Sequence, residues 1–264
     1  MLISDPLKWN ECYGSYRAGT LATLGYDGAY QFRLERVDVP TLIQGLDEQA
    51  SVLWPKSRND PLYASTGVDS LRRVGDTLVL KYFPMRFALL NAAKAESSPL
   101  HEEIDAKQLR FLREELHVLS VASYLRNANK RYVTGVKAGT RFTGRLRELV
   151  PQGLLHNGGE LDEERDPFLE NLLRELEEET GFTGEDLAEK RLFGIDWSAQ
   201  TGDFTPLYGL ELKSPDKRQR RIPRLSDEHS RFDFMTGPAL REVDRHHLNP
   251  VSVHILQAIG EYPR

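Results

Sequence analysis

The sequence predicts a mixed α/β fold, with a mixed sheet and helices outside it, and three observations carry that expectation. Short strand-like runs are interspersed with helical ones through the first part of the chain. Residues 166–181 carry the marks of a capped amphipathic helix. Strand-like segments precede and follow that helix, the arrangement expected when helices cover a sheet. At 264 residues the chain is long for one simple α/β domain and comfortable for two small ones.

From the N-terminus, TLATL (20–24), the turn GYDG (25–28) and AYQFRLERVDV (29–39) read as a hairpin, because Asp27-Gly28 supplies turn chemistry between two strand-like runs. TLIQGLDEQASVLW (41–54) reads as a helix and DTLVLKYF (76–83) as a strand. The polar stretch AKAESSP (93–99) marks a boundary, giving an N-terminal α/β domain over 1–105 and a second domain over 106–264. Leu100, Ile104, Phe111, Leu112 and Leu116 recur at roughly helical spacing in 100–116. HVLSVASYLR (117–126) and RYVTGVKA (131–138) then form two strands joined by the polar turn Asn127-Ala128-Asn129-Lys130.

After a loop through Arg141, Arg145 and Arg147 to LVPQGLLHNGGEL (149–161) comes the clearest helix in the sequence. Asp166 suits the N-cap, Pro167 the first helical position and Gly181 the C-terminal cap. Leu169, Leu172, Leu173 and Leu176 form its apolar stripe. RLFGIDW (191–197), TPLYGLELK (205–213) and RFDFMT (231–236) read as strands, and 241–262 holds a C-terminal helix.

Composition narrows the function classes. Apolar residues at 39% and charged residues at 28% describe a soluble globular protein with a core. A net charge of -5 argues against a surface built for nucleic-acid phosphates. The single cysteine, Cys12, excludes an internal disulfide framework and a cysteine-rich zinc site, and fits a reducing cytosol. Asp5, Pro6 and Lys8 interrupt the apolar residues at the start, so no signal peptide is expected there. No stretch approaches the ~18 apolar residues of a membrane span, and a cytoplasmic protein without a membrane partner is expected.

The chemistry concentrates in Arg174-Glu175-Leu176-Glu177-Glu178-Glu179-Thr180-Gly181-Phe182. Positions 175, 178 and 179 stand at i, i+3 and i+4, so three carboxylates project from one helix face, opposite the leucine stripe. Like charges at that spacing destabilise a helix unless a cation compensates them, and carboxylate oxygens are the ligands that Mg²⁺ or Mn²⁺ prefers. Residues 174–182 match the second half of the Nudix signature, G-x5-E-x7-R-E-U-x-E-E-x-G-U, at every specified position, with Phe182 as the final apolar residue. Gly158 and Gly159 lie upstream where that box opens. Over about 117–250 the chain therefore resembles the Nudix superfamily.

The resemblance implies an α/β/α sandwich for the second domain. It further implies that Glu175, Glu178 and Glu179 bind metal and that Arg174 orients a glutamate through a charge-assisted bond. The first half of the box departs from the pattern. Eight residues before Arg174 stands Asp166 instead of Glu, and six residues instead of five separate it from Gly159. Asp166 is either a shorter carboxylate in the same role or the helix cap, with Glu160, Glu163 and Glu164 as substitutes. Family members often take a further carboxylate from a loop before a late strand. Glu228, in Asp227-Glu228 just before RFDFMT, is the candidate for that additional ligand or general base. Lys137, Arg141 and Arg145 are candidates to clamp phosphates.

The basic run 217–221 reads as a polar hairpin tip, and Trp197 as a core or strand-end aromatic in preference to a base-stacking one. No G-x-S-x-G, Walker-type, G-x-G-x-x-G or H-E-x-x-H motif occurs. The fold relative that isomerises isopentenyl diphosphate uses a cysteine within this domain, whereas Cys12 lies outside it. The resemblance thus implies a metal-dependent pyrophosphohydrolase for a small nucleotide substrate. A nucleoside diphosphate linked to another moiety, such as a nucleotide sugar of the ADP-ribose or UDP-glucose type, comes first. The rival is a Nudix-fold module that senses a nucleotide without cleaving it. A homodimer stays open.

Overall fold

Strand β7 (His117–Arg126) organises the sheet, because nine of its ten residues are buried and it has partners along both edges. The chain is described by a computed structural model covering residues 2–3, 20–23, 31–53, 62–67, 70–86, 88–89, 92, 98–138, 146–156, 165–198, 203–213 and 229–262. Burial on both faces explains why HVLSVASYLR carries so few charges. On one edge β12 (Asp203–Leu212) runs parallel to it, from Asp203 opposite Val118 to Glu211 opposite Arg126. Three antiparallel strands share the other edge in turn. They are β4 (Leu62–Thr66), β10 (Gln152–Leu154) and β8 (Tyr132–Lys137). Outward from β12 follow β11 (Leu187–Ser198), β2 (Thr20–Thr23) and β1 (Leu2–Ile3). Strand β8 also holds β9 (Arg147–Leu149) and β13 (His229–Met235).

Strand β6 (Thr77–Arg86) carries the sheet round to a second ply. Its later residues pair with β4, while its earlier ones pair with parallel β3 (Gln31–Arg36) and antiparallel β5 (Leu71–Val74). The helix Pro167–Thr180 touches both β7 and β3. Phe168, Leu172 and Leu176 are fully buried there, in one cluster with Phe32 and Leu34 of β3, Leu78 and Leu80 of β6, and Leu119 and Val121 of β7. Each such side chain contributes roughly 1.5–3 kcal/mol by leaving water. Residues on either side of position 105 therefore share one core. A second shared cluster joins Leu46 and Ala50 to Phe83, Leu112 and Val118. The C-terminal helix Pro250–Ala258 buries Val253, Ile255 and Leu256 against Tyr124, Tyr132 and Leu207.

The strands expected at 76–83, 117–126, 131–138, 191–197, 205–213 and 231–236 are all present, with ends moved by a few residues. Among the described residues, the two arms of the hairpin expected over 20–39 do not pair with each other. Both arms are strands, but β2 pairs with β11 and β3 with β6, where Phe32 and Leu34 of β3 join the core. The turn at 25–28 lies outside the described residues. The helix expected over 41–54 starts only at Leu46, after a turn that ends at Gly45 with φ +82°, a left-handed value that suits glycine.

The helical pattern over 100–116 is broken rather than continuous. Ile104 is extended, and Asp105 restarts the helix with a capping box to Gln108. Gln108 also donates to the Leu42 carbonyl at 2.9 Å, which ties this segment to the preceding one. Trp197 is a core residue, 2% exposed, whose indole N–H donates to His117 Nε2 at 2.5 Å. The basic run at 217–221 lies outside the described residues. No described helix is long and apolar enough to cross a membrane.

Asp47, in the helix Leu46–Leu53, gives the fold a pH signature. Its carboxylate accepts the Arg86 backbone N–H at 3.2 Å, yet burial raises its pKa from 3.8 to about 6, against the pull of Arg86. The folded chain thus holds this proton to higher pH than the unfolded chain does, so stability falls as pH rises from about 4 to about 6. Asp47→Asn is expected to raise the melting temperature at neutral pH and to leave it unchanged below about pH 4. Thermal denaturation across that range checks both halves.

Candidate active site

The helix Pro167–Thr180 begins where Asp166 leaves extended backbone and accepts the N–H groups of Phe168 and Leu169 at 3.0 and 3.1 Å. The other oxygen of Asp166 accepts the Tyr208 hydroxyl at 3.1 Å. Burial raises its pKa, while the backbone N–H groups and the Tyr208 bond oppose that rise. Between the two readings of Asp166, this geometry is that of the cap. Glu160, Glu163 and Glu164 lie outside the described residues. The helix ends at Gly181, whose φ of 73° allows its N–H to reach the Glu177 carbonyl at 2.9 Å.

The acidic residues do not all face solvent opposite the leucine stripe. Glu179 is 4% exposed and the Glu175 side chain 13%, whereas that of Glu178 is 58% exposed. Asn171, Glu175 and Glu179, four residues apart, form a polar face turned toward β10. The Asn171 amide donates to the Leu154 carbonyl at 3.3 Å, and the Gln152 backbone N–H donates to Glu179 Oε1 at 3.4 Å. Between them sits Gly153, where a built Cβ would fall inside the Glu175 carboxylate. Only a residue without a side chain lets that carboxylate lie so close to the strand.

Arg174 joins the acids along the helix. It donates to Glu178 Oε2 at 2.7 Å, to Glu175 Oε1 at 2.5 Å and to Asn171 Oδ1 at 2.9 Å. Partial burial opposes its charge, but these bonds and the two carboxylates raise its pKa above the ordinary value. Arg174 thus lies between two of the glutamates, Glu175 and Glu178. The oxygen donors suit a hard divalent cation, and the space kept clear at Gly153 suits a carboxylate set close to the backbone. Among the described residues, no three acidic, histidine or cysteine side chains already converge as a metal cage.

The other anticipated residues are dispersed or lie outside the description. Lys137 Nζ is 3.4 Å from the buried Glu148, which also holds His229 at 2.7 Å and Asn249 at 3.0 Å. Arg141, Arg145, Gly158, Gly159 and Glu228 lie outside the described residues. Sequence reading missed Asn171, Gln152, Gly153 and His156. Asn171 was open to discovery as the residue one turn before Glu175. The other three sit in a loop-like run with no periodicity to single them out.

His156 follows β10 and is exposed, with its ring centroid 4.7 Å from that of Tyr63 at 62° between planes. The two residues also form a β-bridge, and the Ala64 N–H donates to the Leu155 carbonyl at 3.0 Å. Partial desolvation and the Arg174 charge hold the His156 pKa below its ordinary range, against the opposite pull of Glu178. Strand β4 of the N-terminal part therefore borders the segment that follows β10.

The seat at Gly153 can be tested by a double-mutant cycle. Gly153→Ala is expected to destabilise the fold by about 1–3 kcal/mol, through the clash with Glu175. Most of that loss should disappear in a Glu175→Ala background, where the carboxylate is gone. Urea denaturation of the four proteins measures the coupling, and strictly additive losses would remove this contact from the account.

No protein-family model matches the chain, and neither does any curated protein. Solved structures that match include a Nudix hydrolase from Nitrosomonas europaea, 19% identical, covering 55% of this chain and 87% of its own, with a TM-score of 0.39. The MutT protein from Methanosarcina mazei Go1 is 18% identical, over 55% of this chain and 94% of its own, with a TM-score of 0.37. A bifunctional NMN adenylyltransferase/ADP ribose pyrophosphatase from Francisella tularensis is 15% identical, over 55% of this chain and 41% of its own, with a TM-score of 0.41. Each of these three matches covers 55% of this chain. In the spacing of residues 174–182 the chain resembles the Nudix signature, and the solved structures it is similar to at this low identity include proteins described as Nudix or MutT.

Proposed function

We propose that the chain is a metal-dependent pyrophosphohydrolase of the Nudix type, acting on a nucleoside diphosphate linked to another moiety. A nucleotide sugar of the ADP-ribose or UDP-glucose type is the first substrate class. One observation carries the reading: Arg174-Glu175 and Glu178-Glu179 stand on one helix, with Glu175 and Glu179 set against β10 and Arg174 bridging Glu175 to Glu178. In this reading Glu175, Glu178 and Glu179 hold Mg²⁺ or Mn²⁺, which when bound supplies positive charge to the diphosphate oxygens.

The chain's own residues fix the donors before substrate arrives. Glu175 is confined by Gly153 and Arg174, and Glu179 by burial and the Gln152 N–H. Such prior ordering lowers the reorganisation needed on binding. Glu228 is proposed as general base or further ligand, and Gly158, Gly159, Lys137, Arg141 and Arg145 as substrate contacts, all on the strength of sequence. Residues 106–264 would form the hydrolase unit, with 1–105 as an N-terminal unit packed beside it, in a cytoplasmic protein.

A second reading, a nucleotide sensor without turnover, draws on Asp166. Its oxygens are engaged by the helix N-terminus and Tyr208, so the upstream carboxylate of the box serves as a cap here. The test is phosphate release from nucleotide sugars, dinucleotides and nucleoside triphosphates with Mg²⁺ or Mn²⁺ and an added phosphatase. The hydrolase reading expects one class to be cleaved, with loss on adding EDTA and a roughly 10²–10⁴-fold lower turnover in Glu178→Gln. Nucleotide binding without cleavage of any class would establish the sensor instead.

A further inference from the structure

We infer that His156, braced by Tyr63, is a stacking surface for the planar base of the nucleotide whose diphosphate lies against the acidic helix. The inference rests on the diphosphate reading of that helix and names the part of the substrate that the N-terminal strand β4 helps to recognise. Two features distinguish this corner. His156 is exposed and lies near enough to Arg174 and Glu178 to feel both charges. Its position is fixed before any ligand binds, by the edge-on Tyr63 ring, the Tyr63–His156 bridge and the Ala64 to Leu155 hydrogen bond. A flat, pre-set ring beside a phosphate-handling face is suited to stacking on a base, since every nucleobase has a π-face.

The chemistry favours a base over a second phosphate in this corner. An anion would call for a cation with bonds to give. Arg174, beside His156, commits three of its five N–H groups to Asn171, Glu175 and Glu178, and the two carboxylates offset its charge. A Tyr–His pair presents aromatic area instead of fixed charge. The pair also gives the N-terminal strand a role at the site, because Tyr63 belongs to β4 and His156 to the segment leading into the acidic helix.

The test is calorimetric binding of AMP and of ribose 5-phosphate, in Mg²⁺, to wild type, His156→Ala, His156→Phe and Tyr63→Leu. His156→Ala should weaken AMP about tenfold, the scale of losing one base–aromatic stack, and His156→Phe should restore most of it. Tyr63→Leu should weaken AMP to a lesser degree, because it loosens the brace and leaves the stacking ring. Ribose 5-phosphate, which lacks the base, should bind all four proteins alike. Equal losses for both ligands, a Phe variant as weak as the Ala variant, or no AMP binding by wild type at millimolar concentration would each overturn the inference. Failure of the hydrolase reading looks different. There AMP binding would keep this pattern while no diphosphate substrate was turned over.

Discussion

The helix Pro167–Thr180 is held from two sides, and the geometry of the candidate site depends on that confinement. Phe168, Leu172 and Leu176 fill the space between β7 and the β3–β6 ply, and the Phe32 and Phe168 rings meet edge-on with centroids 4.8 Å apart. The Asp166 cap and the Gly181 turn fix where the helix starts and stops. With its ends and apolar faces set, the helix has one rotation about its axis that also satisfies Asn171, Glu175 and Glu179 against β10. Packing, rather than attraction among the acids, holds the three glutamates near one another. Their mutual repulsion is a cost that the core and Arg174 offset.

The first hundred residues take part in that confinement. Without β3 and β6 the helix would expose Phe168 and part of its leucine stripe, since Phe32, Leu78 and Leu80 cover them. Strand β6 also pairs with β4, which sets Tyr63 against His156. The N-terminal part thus packs on the helix through the shared core, while the acids belong to the later part.

How much of this was legible depended on the range of the interaction. The acidic helix could be read whole, because caps, stripe and carboxylate spacing are all encoded within 166–182. The strands could be found but not paired. The β2 and β3 runs looked like a hairpin around Asp27-Gly28, yet each pairs with a strand distant in sequence, and local turn chemistry carries no record of such partners. The seat of Glu175 was equally hidden, because it depends on Gly153, which in LVPQGLL reads as one more loop glycine. Asp166 shows the limit from the other side. Sequence offered it as cap or as box carboxylate, and the Tyr208 hydroxyl from β12, far along the chain, gives its second oxygen a partner.

The central claim is that the β10-facing carboxylates of this helix make a divalent-cation site, and Mn²⁺ titration followed by electron paramagnetic resonance tests it most directly. Wild type would be compared with Glu175→Gln and with Glu177→Gln, an exposed acid on the same helix that faces away from the site. The account predicts that Glu177→Gln binds Mn²⁺ like wild type and that Glu175→Gln binds at least about tenfold more weakly. Equal affinity in all three proteins, or an equal loss in both variants, would contradict it.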